Sequence, residues 1–291
     1  MNPNLMPQFP IYVISYKRWD SKQTVRALEE MKCPFKVVVD DVDYDKYANV
    51  IDESKLLKLP LKYRENYDTF WKDEGPLCSG PARNFVWDHA VKNNSEWHWI
   101  MDDNIMGFVR LNRNKKIQVK TPSVFRAMED FVLRYDNIAM AGPDYRFFAE
   151  QTTKLPPFVV NHKIYSCLLI RNDTGFRWRG RYNEDVDLCL RMLKDDWCLI
   201  QFKAFLQNKA ATQTVKGGNN EAIYQKEGTL KKSQMLKEMH PDLVKLVWRY
   251  GRPHHFVDYR PFEKNKLRLK KDISIDAGIN EYGMTLKEYD R

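Results

Sequence analysis

The chain has 291 residues, 43% of them apolar and 13% aromatic, which is enough to bury a sizeable core and excludes a disordered chain. Lys and Arg number 48 against 39 Asp and Glu, and the resulting +9 favours an anionic partner without choosing among nucleotide, nucleic acid and membrane surface; an ordinary solvated face uses the same residues. The longest apolar runs, such as residues 36–39 and 166–170, fall far short of the roughly 20 residues that cross a bilayer, and Met1-Asn-Pro-Asn-Leu-Met-Pro7 has neither a basic start nor an apolar signal core, so a cytoplasmic protein without a membrane partner is expected.

Residues 10–16 are a β-branched and aromatic run that reads as a strand, followed by the polar group Lys17-Arg18-Trp19-Asp20 and by helical spacing over residues 21–31. Residues 35–40 are a second short strand stopped by acids, so the chain opens as a βαβ unit with a parallel pair, a setting in which ligands sit at the carboxyl ends of strands. Residues 55–59 suit another strand, the Gly75-Pro76 and Gly80-Pro81 turns bracket a loop, and residues 82–91 have helical spacing. Residues 96–105 then form an aromatic and aliphatic strand running directly into two acids and an amide. Further on, the pattern predicts helices over 123–135 and 184–193 and strands over 137–141, 163–170 and 197–202, an alternation that persists to about residue 206 with no internal repeat. After Gly217-Gly218 the chain reads as helical and basic over 221–236 and 241–250, then as a basic arm over 260–271, with no Gly/Ser linker to mark a second domain. Cys33, Cys78, Cys167, Cys189 and Cys198 are odd in number and contain no C-x-x-C pair, which argues against a disulfide framework or a zinc ribbon; reduced, mostly buried thiols are expected.

Three constellations carry chemistry. Asp102-Asp103-Asn104 at a strand end offers oxygen ligands for a hard cation that would neutralise a diphosphate, although Asp and Asn also suit a plain turn. Asn183 is a plausible N-cap followed by Glu184, Asp185 and Asp187; acids in a first helical turn complement the helix dipole without further purpose, but these follow a glycine-bounded loop rich in Arg and Trp. His254 and His255, in Tyr250-Gly-Arg-Pro-His-His-Phe-Val-Asp258, are either loop histidines or neutral imidazole ligands completing a metal site begun by the strand-end acids.

Taken together, the Ser-Tyr-Lys-Arg loop after the first strand, the DxD-like Asp102-Asp103-Asn104, the helix-opening Asn183-Glu184-Asp185 and the late histidine resemble a GT-A glycosyltransferase. More narrowly, Ser79-Gly-Pro-Ala-Arg-Asn84, Trp99-Ile-Met-Asp-Asp-Asn-Ile105, Gly180-Arg-Tyr-Asn-Glu-Asp-Val-Asp-Leu-Cys-Leu-Arg191 and Tyr250-Gly-Arg-Pro-His-His255 resemble the phage TET-associated DNA glycosyltransferases, over roughly residues 10–262. The resemblance implies an α/β fold of GT-A type: a Rossmann-like mixed sheet flanked by helices, a single domain over residues 8–262 with a helical C-terminal extension. Residues 8–110 would be the nucleotide-sugar-binding half, 111–262 the acceptor half and 263–291 a basic tail.

It further implies a hexosyltransferase using a nucleotide-sugar, expected to be a UDP-sugar, with Mn²⁺ or Mg²⁺, the acceptor being 5-hydroxymethylcytosine, or a related hydroxymethylpyrimidine, in phage DNA inside an infected bacterium. Ser15, Tyr16, Lys17, Arg18 and Asp40 would lie near the nucleoside, Arg83 near the diphosphate or sugar, and Lys216-Gly217-Gly218 on a loop closing over the diphosphate. Asp102 and Asn104 take the outer DxD positions; because Asn104 is a neutral, weaker ligand, the metal could instead rely on Asp103, with His255 or His254 as third ligand. Asp185 or Glu184 would be the general base, and inversion at the anomeric centre is expected. Arg177, Trp178, Arg179 and Arg181 combine cations with a stacking face, as an exposed or flipped base would need, or else Trp178 packs in the core and the arginines pair with acids. A transferase acting on polysaccharide or protein, and a catalytically silent basic nucleic-acid-binding module, are the competing readings; no protein partner is evident.

Overall fold

The computed structural model describes residues 5–72, 78–149, 155–209, 230–249, 251–273, 278–279 and 285. Its opening is the expected βαβ unit: β1 (Ile11–Ile14), α1 (Gln23–Glu30) and β2 (Lys36–Asp40), with Val13 opposite Val37 in a parallel pair. All four residues of β1 and the three valines of β2 are buried, the continuous apolar pattern of strands covered on both faces. After α2 (Tyr44–Ala48), β3 (Leu56–Leu59) extends the parallel set, and α3 (Lys62–Glu65) follows. Then comes α4 (Gly80–Lys92), with Pro81 in its first turn where a missing N–H costs nothing, and β4 (Trp97–Asp102), parallel to β1.

The chain continues through an antiparallel hairpin of β5 (Ile105–Asn112) and β6 (Lys115–Val119), then α5 (Ser123–Val132), β7 (Ile138–Tyr145), β8 (Phe158–Val160), β9 (Cys167–Arg171), α6 (Glu184–Lys194) and β10 (Cys198–Lys209). Sheet order is β3-β2-β1-β4-β9-β7-β10-β5-β6, with β8 beside β10. Because β9 is antiparallel to both β4 and β7, the strands β7 and β10 run parallel to β1 and β4. The carboxyl ends of β1, β2, β4, β7 and β10 therefore share one edge, where open α/β sheets bind ligands.

Strand alternation divides the core between the two faces. Ile11 and Val13 pack with Leu28 of α1 and with Phe125 and Met128 of α5, whereas Tyr12 and Ile14 pack with Val86 and Trp87 of α4 and with Leu190 of α6. Helices thus cover both sides of a mixed sheet, the α/β architecture expected from the sequence.

Beyond the sheet, α7 (Leu230–Met239) leads to a separate hairpin of β11 (Val244–Arg249) and β12 (Arg252–Val257). Residues 241–250 were expected to be helical and are not: Val244, Val247 and Trp248 favour a strand, Arg249 pairs with Arg252, and Gly251 between them has φ 70°. Of the other helix expected here, residues 221–229 lie outside the described residues and α7 takes up the rest. The chain then returns to the body, where Asn265 donates to Leu193 O at 2.8 Å and Asn137 Oδ1 accepts from Arg268 N at 2.8 Å. All five cysteines are free, four of them buried. Among the described residues no helix is long and apolar enough to cross a membrane.

Candidate active site

β4 ends in Asp102, and the chain turns through Asp103 and Asn104 directly into β5. The fully buried Thr24 of α1 fixes this turn: its hydroxyl donates to Asp102 O at 2.6 Å and accepts from Ile105 N at 2.9 Å. The turn faces a cavity of about 570 Å³ at the carboxyl edge of the sheet, a volume suited to a small-molecule or cofactor ligand. Ser15, Tyr16 and Arg18 enter it from the end of β1, Asp40 from the end of β2, and Arg83 from α4.

Cations and carboxylates are interleaved in it. Asp102 Oδ1 accepts from Arg83 Nη2 at 3.1 Å, and its Oδ2 accepts from Lys209 Nζ, at the end of β10, at 2.7 Å. Burial pushes this carboxyl up, but Lys209 and Arg83 together outweigh burial and hold it at about 2. Asp103 is 7% exposed and accepts from Arg18 Nη1 and, at 2.9 Å, from Ser15 Oγ; burial raises its pKa in spite of Arg18. Arg83 is buried, stacks 4.6 Å above the Trp178 ring, donates to Ser79 Oγ at 3.2 Å, and keeps Nη1 without a hydrogen-bond partner. A buried, unsatisfied guanidinium donor lining a cavity is suited to a phosphate oxygen. Asp40 is held by Arg64, which lines the same wall.

α6 brings the second carboxylate pair to the cavity. Asn183 occupies the cap position in a left-handed conformation (φ 53°), yet its side chain does not cap the helix; the amide donates to Lys232 O at 2.7 Å and ties α6 to α7. Glu184 accepts from Ser79 Oγ and lies 3.8 Å from Arg83 Nε. Asp185 accepts from Val186 N at 2.9 Å, and its pKa is raised to about 6, first by burial and then by the adjacent Glu184 carboxylate. A carboxyl with that pKa, in a cavity and still ionised at neutral pH, has the properties of a general base.

His254 and His255 reach the cavity from β12. His254 Nδ1 donates to His255 O at 2.8 Å, whereas His255 Nδ1 is buried without a partner and burial, followed by Lys232, lowers its pKa to about 3, leaving a neutral imidazole. Asn104 Oδ1 is likewise buried and without a donor. These two atoms and the Asp102 and Asp103 oxygens are of the chemical kind that binds a divalent cation, although the carboxylates are engaged by Arg83, Lys209, Arg18 and Ser15. Among the described residues no three His, Cys, Asp or Glu side chains converge on one metal position, so diphosphate oxygens would have to supply the remaining ligands, as they commonly do for Mg²⁺.

Of the two readings of the loop that holds Arg177, Trp178, Arg179 and Arg181, the packing agrees with a core position for Trp178 rather than a stacking face. Trp178 is 1% exposed in the core and cannot offer a stacking face, because Arg83 covers its ring. Arg179 is spent on Asp187 at 3.1 Å, Arg181 is buried with its guanidinium 5.6 Å from the Tyr182 ring, and Arg177 pairs with Asp88 at 3.0 Å. Lys17 is exposed outside the cavity, its ammonium 5.1 Å from the Tyr16 ring. Lys216, Gly217 and Gly218 lie outside the described residues. Lys209, Lys163, Ser166 and Tyr145 line the cavity without having been singled out in the sequence; continuing the last strand from residue 202 to its end at 209 would have put Lys209 at the carboxyl edge.

A family model described as TET-Associated Glycosyltransferase matches residues 9–218. The chain belongs to the TET-associated glycosyltransferase family. No curated protein matches the chain. As a member of this family it is a glycosyltransferase, and its mixed sheet with helices on both faces is the GT-A type of α/β fold.

Proposed function

We propose that this glycosyltransferase moves a sugar from a UDP-sugar to the hydroxyl of 5-hydroxymethylcytosine, or a related hydroxymethylpyrimidine, in DNA. The observation that carries the reading is the placement of Asp185, with its raised pKa, in the same cavity as the cations Arg83, Lys209 and Arg18. Asp185 takes the proton as the acceptor oxygen attacks the anomeric carbon. The bond between that carbon and the diphosphate oxygen breaks with its electron pair on the oxygen, and the guanidinium and ammonium groups stabilise the developing charge. A base acting from the side opposite the leaving group would invert the anomeric centre. A bound Mn²⁺ or Mg²⁺, held by Asn104, His255 and one or both of Asp102 and Asp103, would add Lewis-acid neutralisation of the diphosphate. Residues 8–110 supply the nucleoside side of the cavity, and the acceptor approaches from the half that follows.

The experiment measures nucleoside diphosphate release from a panel of UDP-sugars with Mn²⁺, Mg²⁺ or chelator, comparing DNA containing hydroxymethylcytosine with plain DNA. Release that requires modified DNA is expected. Equal release with both DNAs, or transfer only to polysaccharide or protein, removes the acceptor, and release unaffected by chelator removes the metal.

A further inference from the structure

The edge of the cavity away from β1 carries a column of aromatic rings that the chemistry above leaves unused. Tyr165 and Tyr145 are stacked at 6.2 Å with an interplanar angle of 17°, and Tyr145 and Phe147 at 5.1 Å with 12°. Phe148 leans on Phe147 at 4.3 Å. All four line the cavity, and the column runs from half-buried tyrosines to two phenylalanines 58% and 59% exposed. Both phenylalanines belong to the short turn Arg146–Phe148 that follows the end of β7. Two adjacent phenylalanines, each more than half open to water, leave apolar ring surface for a planar ligand.

The surroundings say which ligand. Lys163 Nζ lies 5.3 Å from the Tyr165 ring and Lys209 Nζ 5.8 Å from the Tyr145 ring, which sets the tyrosine end of the column against the cavity's cations, and the exposed Arg146, in the same short turn as the phenylalanines, supplies a cation for a polyanionic strand. Asp185 is close: after burial, it is the first cause raising the Tyr165 phenol. The donor nucleoside belongs on the other side, because β1 and β7 are separated by two strands, about 14 Å at the usual spacing. From these observations we infer that Phe147 and Phe148 form the stacking platform on which the acceptor pyrimidine, extruded from a nucleic acid strand, is held with its hydroxymethyl group toward Asp185. This inference rests on the DNA acceptor proposed above and assigns its recognition to residues outside the arginine and tryptophan loop.

The test is steady-state transfer to an oligonucleotide carrying 5-hydroxymethylcytosine, with Phe147→Ala, Phe148→Ala, the double variant and Phe147→Trp. Both alanine variants lie at the surface and should fold. A rise of about 10-fold or more in the KM for the oligonucleotide is expected for the double variant, with the KM for the UDP-sugar unmoved, and Phe147→Trp should keep the oligonucleotide KM near that of the parent. An unchanged oligonucleotide KM in the double variant, while the parent transfers to it, overturns the platform and leaves the DNA acceptor standing. A parent that transfers only to acceptors other than DNA overturns both.

Discussion

At the residue scale, Asp185 sets the pH behaviour. Its pKa is raised, so it is protonated below about pH 6 and unable to accept a proton there, and kcat/KM should fall on the acid side of that value and level off above it. Asp185→Asn should lower kcat by about 10²–10⁴-fold while donor affinity, measured by calorimetry, stays near that of the parent; near-normal turnover would move the role to Glu184. The acids of the site were legible because Asp102, Asp103 and Asn104 directly follow an aliphatic run, and Glu184 and Asp185 open a helical pattern. For Trp178 the sequence left a stacking face and a core position both open, since a loop sequence does not show that Arg83 will lie over the ring. Lys209 and Phe147 lie past residues 202 and 141, where the expected strands ended, and the sheet order brings both to the cavity.

At the scale of elements, α6 and α7 are joined through one fully buried carboxylate. Asp187 accepts from Arg179 and Arg191, at 3.1 Å and 2.8 Å, and His240 Nε2 at the end of α7 donates to it at 3.0 Å. Burial raises its pKa, but His240, Arg191 and Arg179 together outweigh burial and bring it to about 2. Because the folded value lies below that of the unfolded chain, the stability it contributes is fully present above about pH 4 and disappears as pH falls through about 2. Asp187→Ala leaves three buried or half-buried donors unpartnered and should cost about 3–5 kcal/mol, seen as a lower denaturant midpoint at neutral pH. The βαβ opening was legible from β-branched runs and helical spacing. The β11–β12 hairpin was not: Leu243, Val244, Leu246 and Val247 have helical spacing on paper, and it took Gly251 and the pairing partner downstream to make a strand.

At the scale of the whole molecule, the +9 charge and the cations around the cavity should make DNA use sensitive to salt. Contact with about two phosphates means that a roughly fourfold increase in salt weakens binding about 10-fold, so the KM for DNA should climb with ionic strength more steeply than the KM for donor; equal slopes would argue that the charge serves the nucleotide alone. The resting ion pairs have one more consequence. Lys209 and Arg18 are held by Asp102 and Asp103 before any ligand arrives, so a small inorganic anion can reach these two only by displacing tethered carboxylates, whereas Arg83 keeps Nη1 open to it. Free phosphate has no nucleoside or sugar with which to offset that displacement, so of these three cations it meets one guanidinium donor, whereas a nucleotide-sugar that displaces the carboxylates meets all three.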